Sequence, residues 1–375
     1  MMRTHVESIA AKLGATAAAL QLGCVVGCRT GPTFDEPGRV SQYVVYGDDD
    51  RRELFELNDP ALRTSLQGAV AAIIPKRNLH AADDAIVIEA SMFAEKHDLC
   101  PGERFAEQPS AAMCSGVLVD WDLVLTAGHC LRVLPLSELI FVFGYYYVAP
   151  GKLSIRAQDV IAGSAIVAEA LDLQGAPEQL DYGFVRLKHA VEAPPQPIPV
   201  RRHVEPLVDG KPLINAGTSG GVPLKVDQGA SVVDARARQL DFFVADADTS
   251  HGASGCGAFD LHGALVGVLA RGAPDEQPRD SGCSMTHVES ARSAAAEEFT
   301  YAAVAMQALC ARDPNASSLC RNDCEEPCRA QSTSTSQAGC SATSVPCGSR
   351  WPSLAFAFAA IAFCRGRRRL TPSRC

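Results

Sequence analysis

The chain of 375 residues has no excess of positive charge. Its formal net charge is −9, so it lacks the basic footprint of a nucleic-acid binder, and no nucleic-acid partner is expected. It also lacks a long apolar run. Leu13 to Gly27 and Leu354 to Cys364 are the apolar stretches near its two ends. Both fall below the roughly 18 residues of a confident spanning helix. Extended helical periodicity is scarce as well. Short β-rich runs recur instead, as in Leu139 to Val148 and, more loosely, Leu153 to Ala168. That pattern favours a barrel over an α/β sheet. A hydrophobic share of 47% is enough for a core.

Cysteine is not scarce. Fifteen cysteines argue for an oxidising compartment. Arg3 and Lys12 precede the first apolar stretch, which has the length of a signal-peptide core and ends Val25-Val26-Gly27-Cys28. This ending resembles a bacterial lipobox, whose Cys takes a lipid; the alternative is an ordinary signal peptide that contains Cys. Near the other end Cys310, Cys320, Cys324, Cys328, Cys340 and Cys347 crowd around a polar linker at 332–337. A short apolar run and the cluster Arg365-Gly366-Arg367-Arg368-Arg369 follow. Together they resemble the C-terminal sorting signals of myxobacterial surface proteins, with a plain tail as the alternative. No His lies near these cysteines, so disulfides are favoured over zinc.

The most informative stretch is 114–130. Two apolar runs, Val117 to Val119 and Leu123 to Leu125, flank Asp120-Trp121-Asp122 and read as two buried strands joined by a tight turn. Cys114 and Cys130 lie at the ends of that hairpin, in reach of a bridge that would hold His129 at a strand end. The run closes Thr126-Ala127-Gly128-His129-Cys130 and resembles the histidine motif of the chymotrypsin-like serine endopeptidases, the trypsin family. The resemblance implies that His129 is a general base and that Cys114 pairs with Cys130. It also implies an all-β fold of two six-stranded antiparallel Greek-key barrels with a C-terminal helix.

Two further segments follow in the order that family uses. Asp181-Tyr182-Gly183-Phe184-Val185-Arg186-Leu187 starts a strand-like alternation with an Asp, and the resemblance gives Asp181 the role of orienting the His. Gly252-Ala253-Ser254-Gly255 matches the nucleophile segment at Gly252, Ser254 and Gly255, which implies Ser254 as nucleophile. A serine whose N–H faces an oxyanion pocket needs a sharply bent loop, so Gly252 and Ser254 are the expected oxyanion donors. Ala253 stands where trypsin has the Asp that pairs with a freed N-terminus. Cys256 either bridges to Cys283 or remains a free thiol beside the nucleophile.

Specificity cues conflict. The order Asp49-Asp50-Arg51, then Cys100-Pro101-Gly102-Glu103-Arg104-Phe105, resembles the bacterial glutamyl-endopeptidase-like branch. That branch uses a Thr five residues before the serine, matched by Thr249, and a His on the next strand, where this chain has Leu269. Asp248 sits at the count of the trypsin specificity Asp, and Arg271 would attract an acidic side chain.

The expected organisation is a signal peptide or lipobox (1–28), a tether and N-terminal segment (29–99), the protease domain (100–310), a Cys-rich linker (311–350) and a sorting signal (351–375). Residues 40–99 are either propeptide or a source of the first barrel strand. Asn58-Asp59-Pro60 predicts a helix start, and Phe299 to Cys310 a terminal helix closing the second barrel. The expected protein is a monomeric, exported serine endopeptidase that acts on protein or peptide substrates. It needs no metal and no organic cofactor, and is held at the membrane by a lipid or C-terminal anchor. The competing expectation is a catalytically silent binding module on the same fold.

Overall fold

The computed structural model describes residues 44–321 apart from 83–84, 154, 173–178, 193–195, 273–281 and 292–295. The expected lipobox, polar linker and sorting signal lie outside the described residues. Among the described residues no helix is long and apolar enough to cross a membrane.

Val117 pairs with Leu125 and Leu118 with Val124 in the antiparallel hairpin of Cys114–Asp120 and Leu123–Thr126. Every residue of Leu123–Thr126 is buried, which is why this strand reads as a continuous apolar run rather than an alternation. The hairpin is the middle of a closed six-stranded barrel. Around it the order is Val160–Leu171, Asp181–Leu187, Leu123–Thr126, Cys114–Asp120, Val70–Pro75 and Leu139–Val142, which returns to the first. All neighbours run antiparallel. The non-sequential order is that of a Greek key.

Val70–Pro75 comes from the segment that the sequence left between propeptide and barrel. Its six residues are all buried. The helix Pro60–Ala69 leads into it, with Asp59 accepting from the N–H groups of Ala61 and Leu62, as the Asn-Asp-Pro start predicts. The folded unit therefore starts well before residue 100.

The second half departs from a six-stranded barrel. It is an eight-stranded antiparallel half-barrel sheet in the order Val232–Asp234, Phe242–Ala245, Glu297–Tyr301, Leu265–Arg271, Gly257–Phe259, Ile214–Gly217, Lys225–Asp227, Arg51–Glu53. The N-terminal segment supplies the last of these, so the chain is threaded through both halves. Phe243 and Phe299 stack at 5.3 Å inside this sheet, among Val232, Val266 and Leu269.

The terminal helix starts later than its spacing suggests. Glu297–Tyr301 is a strand and the helix is Ala302–Arg312. Its buried residues Ala302, Ala305, Met306 and Leu309 join the core cluster that holds Leu125, Phe141 and Phe184. The same cluster holds Phe259, Leu265 and Val268 of the second half, so the helix packs on strands of both halves, Leu265–Arg271 and Glu297–Tyr301 as well as Val160–Leu171 and Asp181–Leu187. Cys310–Cys320 ties the chain behind it.

A chain starting at residue 100 would lack Val70–Pro75 and open the barrel at two edges. It should show no cooperative thermal transition by circular dichroism, whereas residues 44–321 should unfold cooperatively.

Candidate active site

The strand Asp181–Leu187 pairs with Leu123–Thr126, Gly183 opposite Thr126. That register carries Asp181 to the end of the strand that His129 follows. Gly128 makes the approach close. A Cβ on Gly128 would lie 2.4 Å from the Ala170 carbonyl oxygen and 2.8 Å from that of Tyr182, so only glycine fits. His129 Nδ1 then lies 2.7 Å from Asp181 Oδ2, and the His129 backbone N–H donates to Oδ1 at 3.0 Å. A carboxylate only accepts, so Nδ1 carries the proton and Nε2 is left as the basic nitrogen. Asp181 is buried while His129 is partly exposed.

Thr300 was not visible as a site residue in the sequence. Its hydroxyl donates to the Asp181 carbonyl at 2.9 Å and accepts from the Asp181 N–H at 3.2 Å. The C-terminal strand of the second sheet thereby clamps the backbone that carries Asp181.

The disulfide Cys114–Cys130 forms as the hairpin ends suggest. Cys130 Sγ lies 3.8 Å from His129 Nε2 and 3.7 Å from the Ser254 carbonyl oxygen, so His129 and Ser254 flank one sulfur. Cys114, His129 and Cys130 bring metal-ligand atoms within 4.8 Å of one another. The two sulfurs are bonded to each other, however, and a disulfide offers no thiolate.

The Ser254 loop is bent by two glycines, Gly252 at φ 92° and Gly255 at φ 80°. The Gly255 Cα packs against the Ser115 carbonyl, where a Cβ would lie 2.1 Å away. Ser115 N–H donates to the Ser254 carbonyl at 2.7 Å. The N–H groups of Gly252 and Ser254 have no acceptor among the described residues, which leaves both available at the loop's open side. Ser254 Oγ likewise makes no hydrogen bond to another described side chain, His129 included.

Residues 114–268 match the family model of the trypsin-like peptidase domain. The backbone of the chain is similar to that of the VesB protease of Vibrio cholerae, at 14% identity and a TM-score of 0.41, covering 70% of this chain and 66% of that one. It is similar to a Glu endopeptidase at 15% identity and a TM-score of 0.39, covering 71% and 97%. A scabies mite inactivated protease paralogue is similar at 17% identity and a TM-score of 0.40, covering 65% and 92%. At such identities the likeness concerns the fold alone. No curated protein sequence matches.

The disulfide pairing decides between the two alternatives for Cys256. Cys283 bonds to Cys100 instead, and Cys256 is free and fully buried. Burial pushes its thiol up to about 12, so it carries almost no thiolate at neutral pH. Ala253 is also fully buried and offers nothing to an amino terminus.

The residues weighed for specificity separate. A cavity of about 120 Å³ opens beside Ser254, and both Thr249 and Leu269 line it. Asp248 and Arg271 do not. The Asp248 carboxylate accepts from the N–H groups of Tyr46 and Asp50, each at 2.8 Å, and so holds the N-terminal segment. Arg271 is bound to Glu298 at 2.6 Å and to the Gln179 carbonyl at 3.0 Å, and stands over the Phe242 ring.

Asp248 also neighbours Asp227, whose Oδ2 accepts from the Asp248 N–H at 2.9 Å. Burial first, then mutual repulsion, pushes Asp248 up to about 7; burial chiefly pushes Asp227 up to about 6. Both values exceed the unfolded one near 3.9. The folded chain therefore binds more protons than the unfolded chain between about pH 4 and 7, and stability falls as pH rises through that window. The thermal midpoint should drop from pH 5 to pH 8, and Asp248→Asn should flatten that slope. An equal slope in the variant would show that this pair does not set it.

Proposed function

We propose that this chain is an exported serine endopeptidase that hydrolyses peptide bonds through an acyl-enzyme on Ser254. The observation that carries the reading is the two-point hold of Asp181 on His129, with Ser254 on the other side of the Cys130 sulfur. In this reading Ser254 Oγ attacks the scissile carbonyl carbon and forms the ester C–O bond while His129 Nε2 takes the hydroxyl proton. Asp181 holds the Nδ1–H tautomer and stabilises the imidazolium, remaining ionised itself. The N–H groups of Gly252 and Ser254 receive the oxyanion. One such donor is worth about 10²–10³ in rate. His129 then returns its proton to the leaving amine as the C–N bond breaks. Water, deprotonated by the same nitrogen, releases the acid and restores Ser254. No step calls on a metal or organic cofactor.

Three disulfides among the described residues support export to an oxidising compartment. A membrane hold by lipid or C-terminal anchor, and a monomeric state, belong to the same reading.

A second reading, a silent binding module, is favoured by the absence of a Ser254 Oγ to His129 hydrogen bond in the unliganded site. Such bonds are often long in apo enzymes and tighten with substrate. Labelling with a fluorophosphonate decides between the two. The wild-type chain should be labelled and Ser254→Ala should not. Ser254→Ala should lower kcat on peptide substrates by about 10⁶ and Asp181→Asn by about 10⁴. A wild-type chain that is correctly oxidised yet neither labelled nor active would establish the silent module.

A further inference from the structure

The strands Val70–Pro75 and Cys114–Asp120 are antiparallel neighbours, with Ile73 opposite Cys114. Such a pair can be joined by a two-residue turn, yet residues 76–113 stand between them. Long connections of this kind usually carry function. Part of this one folds into an antiparallel hairpin, Leu79–Ala82 with Ala85–Ile88. The barrel gives the hairpin a surface to cover. Ile73 and Phe141 belong to the core cluster inside the barrel, whereas Ile74, Ile140 and Val142 alternate with them and form a second cluster outside it. Ile86 and Ile88 pack against that outer cluster.

The cover is incomplete. The hairpin reaches the next stretch of chain through the Ile86 N–H, which donates to the Ile155 carbonyl at 3.4 Å, and through the Ala85–Arg156 bridge. A cavity of about 360 Å³ opens there, lined by Ile86, Val87, Ile88, Pro109, Leu153 and Ile155. Its size falls in the roughly 300–1,000 Å³ range of clefts that bury a ligand. Among the described residues no charged or hydroxyl-bearing side chain lines it, and Val87 is 52% exposed. An apolar side chain entering this groove leaves no polar side chain unpaired and gains the burial of its own surface.

Pro109 connects the groove to the candidate active site. The Tyr145 hydroxyl donates to the Pro109 carbonyl at 2.5 Å and lies 3.2 Å from the Gly221 carbonyl oxygen. The N–H groups of Ala111 and Ala112 donate to that same Gly221 carbonyl at 2.9 and 3.0 Å. Gly221 packs in turn on Gly252, where a Cβ would lie 2.9 Å from the Gly221 nitrogen. Residues 109–112 thus run from the groove to the oxyanion loop. None of them lines the cavity at Thr249 and Leu269, so groove and cavity lie on different sides of Gly252. A substrate whose acyl-side residue enters that cavity extends past Ala112 with its leaving-group side. An extended chain advances about 3.3 Å per residue, which brings the groove within reach about three to five residues beyond the scissile bond.

We infer that the groove beneath the hairpin 79–88 is a docking site for the substrate chain, and that it takes a bulky apolar side chain about three to five residues past the scissile bond on the leaving-group side. The inference deepens the peptidase reading and rests on it. The occupant is the substrate rather than a second copy of this chain, because the groove continues along the segment that walls the oxyanion loop. Selection among proteins is then made by an insertion between two barrel strands, at a distance from the cavity beside Ser254.

Two measurements on the oxidised full-length chain test this. The first compares peptide substrates that are identical through the second residue past the scissile bond and carry leucine or aspartate at the third to fifth. The leucine set should exceed the aspartate set at least about tenfold in kcat/KM, through KM. Val87→Asp should bring that ratio below about twofold, whereas Leu261→Asp, at an exposed position of the second half, should keep it. Equal rates on the two sets, or a ratio unchanged in Val87→Asp, would overturn the inference while leaving the peptidase intact. The second measures binding of the leucine-bearing leaving-side peptide to Ser254→Ala by fluorescence anisotropy, and so needs no catalysis. Adding Val87→Asp, or Ala85→Phe, which fills the groove without a charge, should weaken binding at least about tenfold. Absence of binding, or binding unchanged in both double variants, would overturn the assignment. A dimer in sedimentation that Val87→Asp dissociates would give the groove to a second copy instead. If the wild-type chain is neither labelled by fluorophosphonate nor active, the peptidase reading fails, and the anisotropy result still decides whether the groove holds an apolar chain.

Discussion

The junction at Ser115 holds the two halves of this protein in the relation that the site needs. Ser115 is fully buried and belongs to the first barrel, paired with Ala72. Its N–H donates to the Ser254 carbonyl, and its carbonyl accepts from Thr126 Oγ1 at 2.6 Å. Its hydroxyl accepts from the Thr218 N–H and meets Thr218 Oγ1, both at 2.8 Å. Every polar atom of one residue thus joins the nucleophile loop, the histidine strand and the start of the second half. A buried polar group left unpaired costs about 1–3 kcal/mol, so shifting one sheet against the other would forfeit several such bonds together. The spacing of Ser254 from His129 is set by this seam more than by anything local to either residue.

A second constraint comes from the N-terminal segment. Arg104 donates to the carbonyls of Asp49 and Arg51 at 2.7 and 2.6 Å, and the guanidinium groups of Arg51 and Arg104 and the Lys225 ammonium surround the Phe105 ring. Buried Lys225 is pushed down to about 8 by desolvation, against the pull of Glu53. Such a group is tolerated only because Glu53, Gln108 and the Pro223 carbonyl all accept from it. With Asp248 bound to the backbone of Tyr46 and Asp50, the wall of the cavity is supported by hydrogen bonds from within the chain. The place of an ion pair at residue 253 is taken by a buried methyl.

What the sequence disclosed about the site was what the chain encodes within a few residues. Thr126 to Cys130 reads as a histidine motif because Gly128 must approach the Ala170 and Tyr182 carbonyls and Cys130 must reach Cys114. Gly252 and Gly255 read as a nucleophile loop because both hold positive φ. The helix at Pro60 was legible from its cap, and the barrel from its short buried strands. The membership of Val70–Pro75 and Arg51–Glu53 in opposite halves was not, since strand pairing is settled by partners far along the chain. Thr300 was missed for the same reason. It sits on a strand whose local pattern says only that it is partly buried, and it acts on Asp181, more than 100 positions away.

Cys256 shows how burial decides the chemistry of a residue that sequence distance alone would place beside the nucleophile. It lies two positions from Ser254, yet its Sγ points the other way, 3.6 Å from Ser115 Oγ. A Cβ on Gly217 would fall 1.8 Å from that sulfur, so the thiol occupies the volume that any side chain at 217 would need. The contact makes Cys256 a packing atom between Ile214–Gly217 and the nucleophile loop. No second cysteine among the described residues reaches it, and desolvation disfavours the thiolate that oxidation or alkylation would require. Glycine at 217 and cysteine at 256 are therefore one packing solution in two parts. Together they set what supports the Ser254 loop from beneath, not what the loop presents to the cleft.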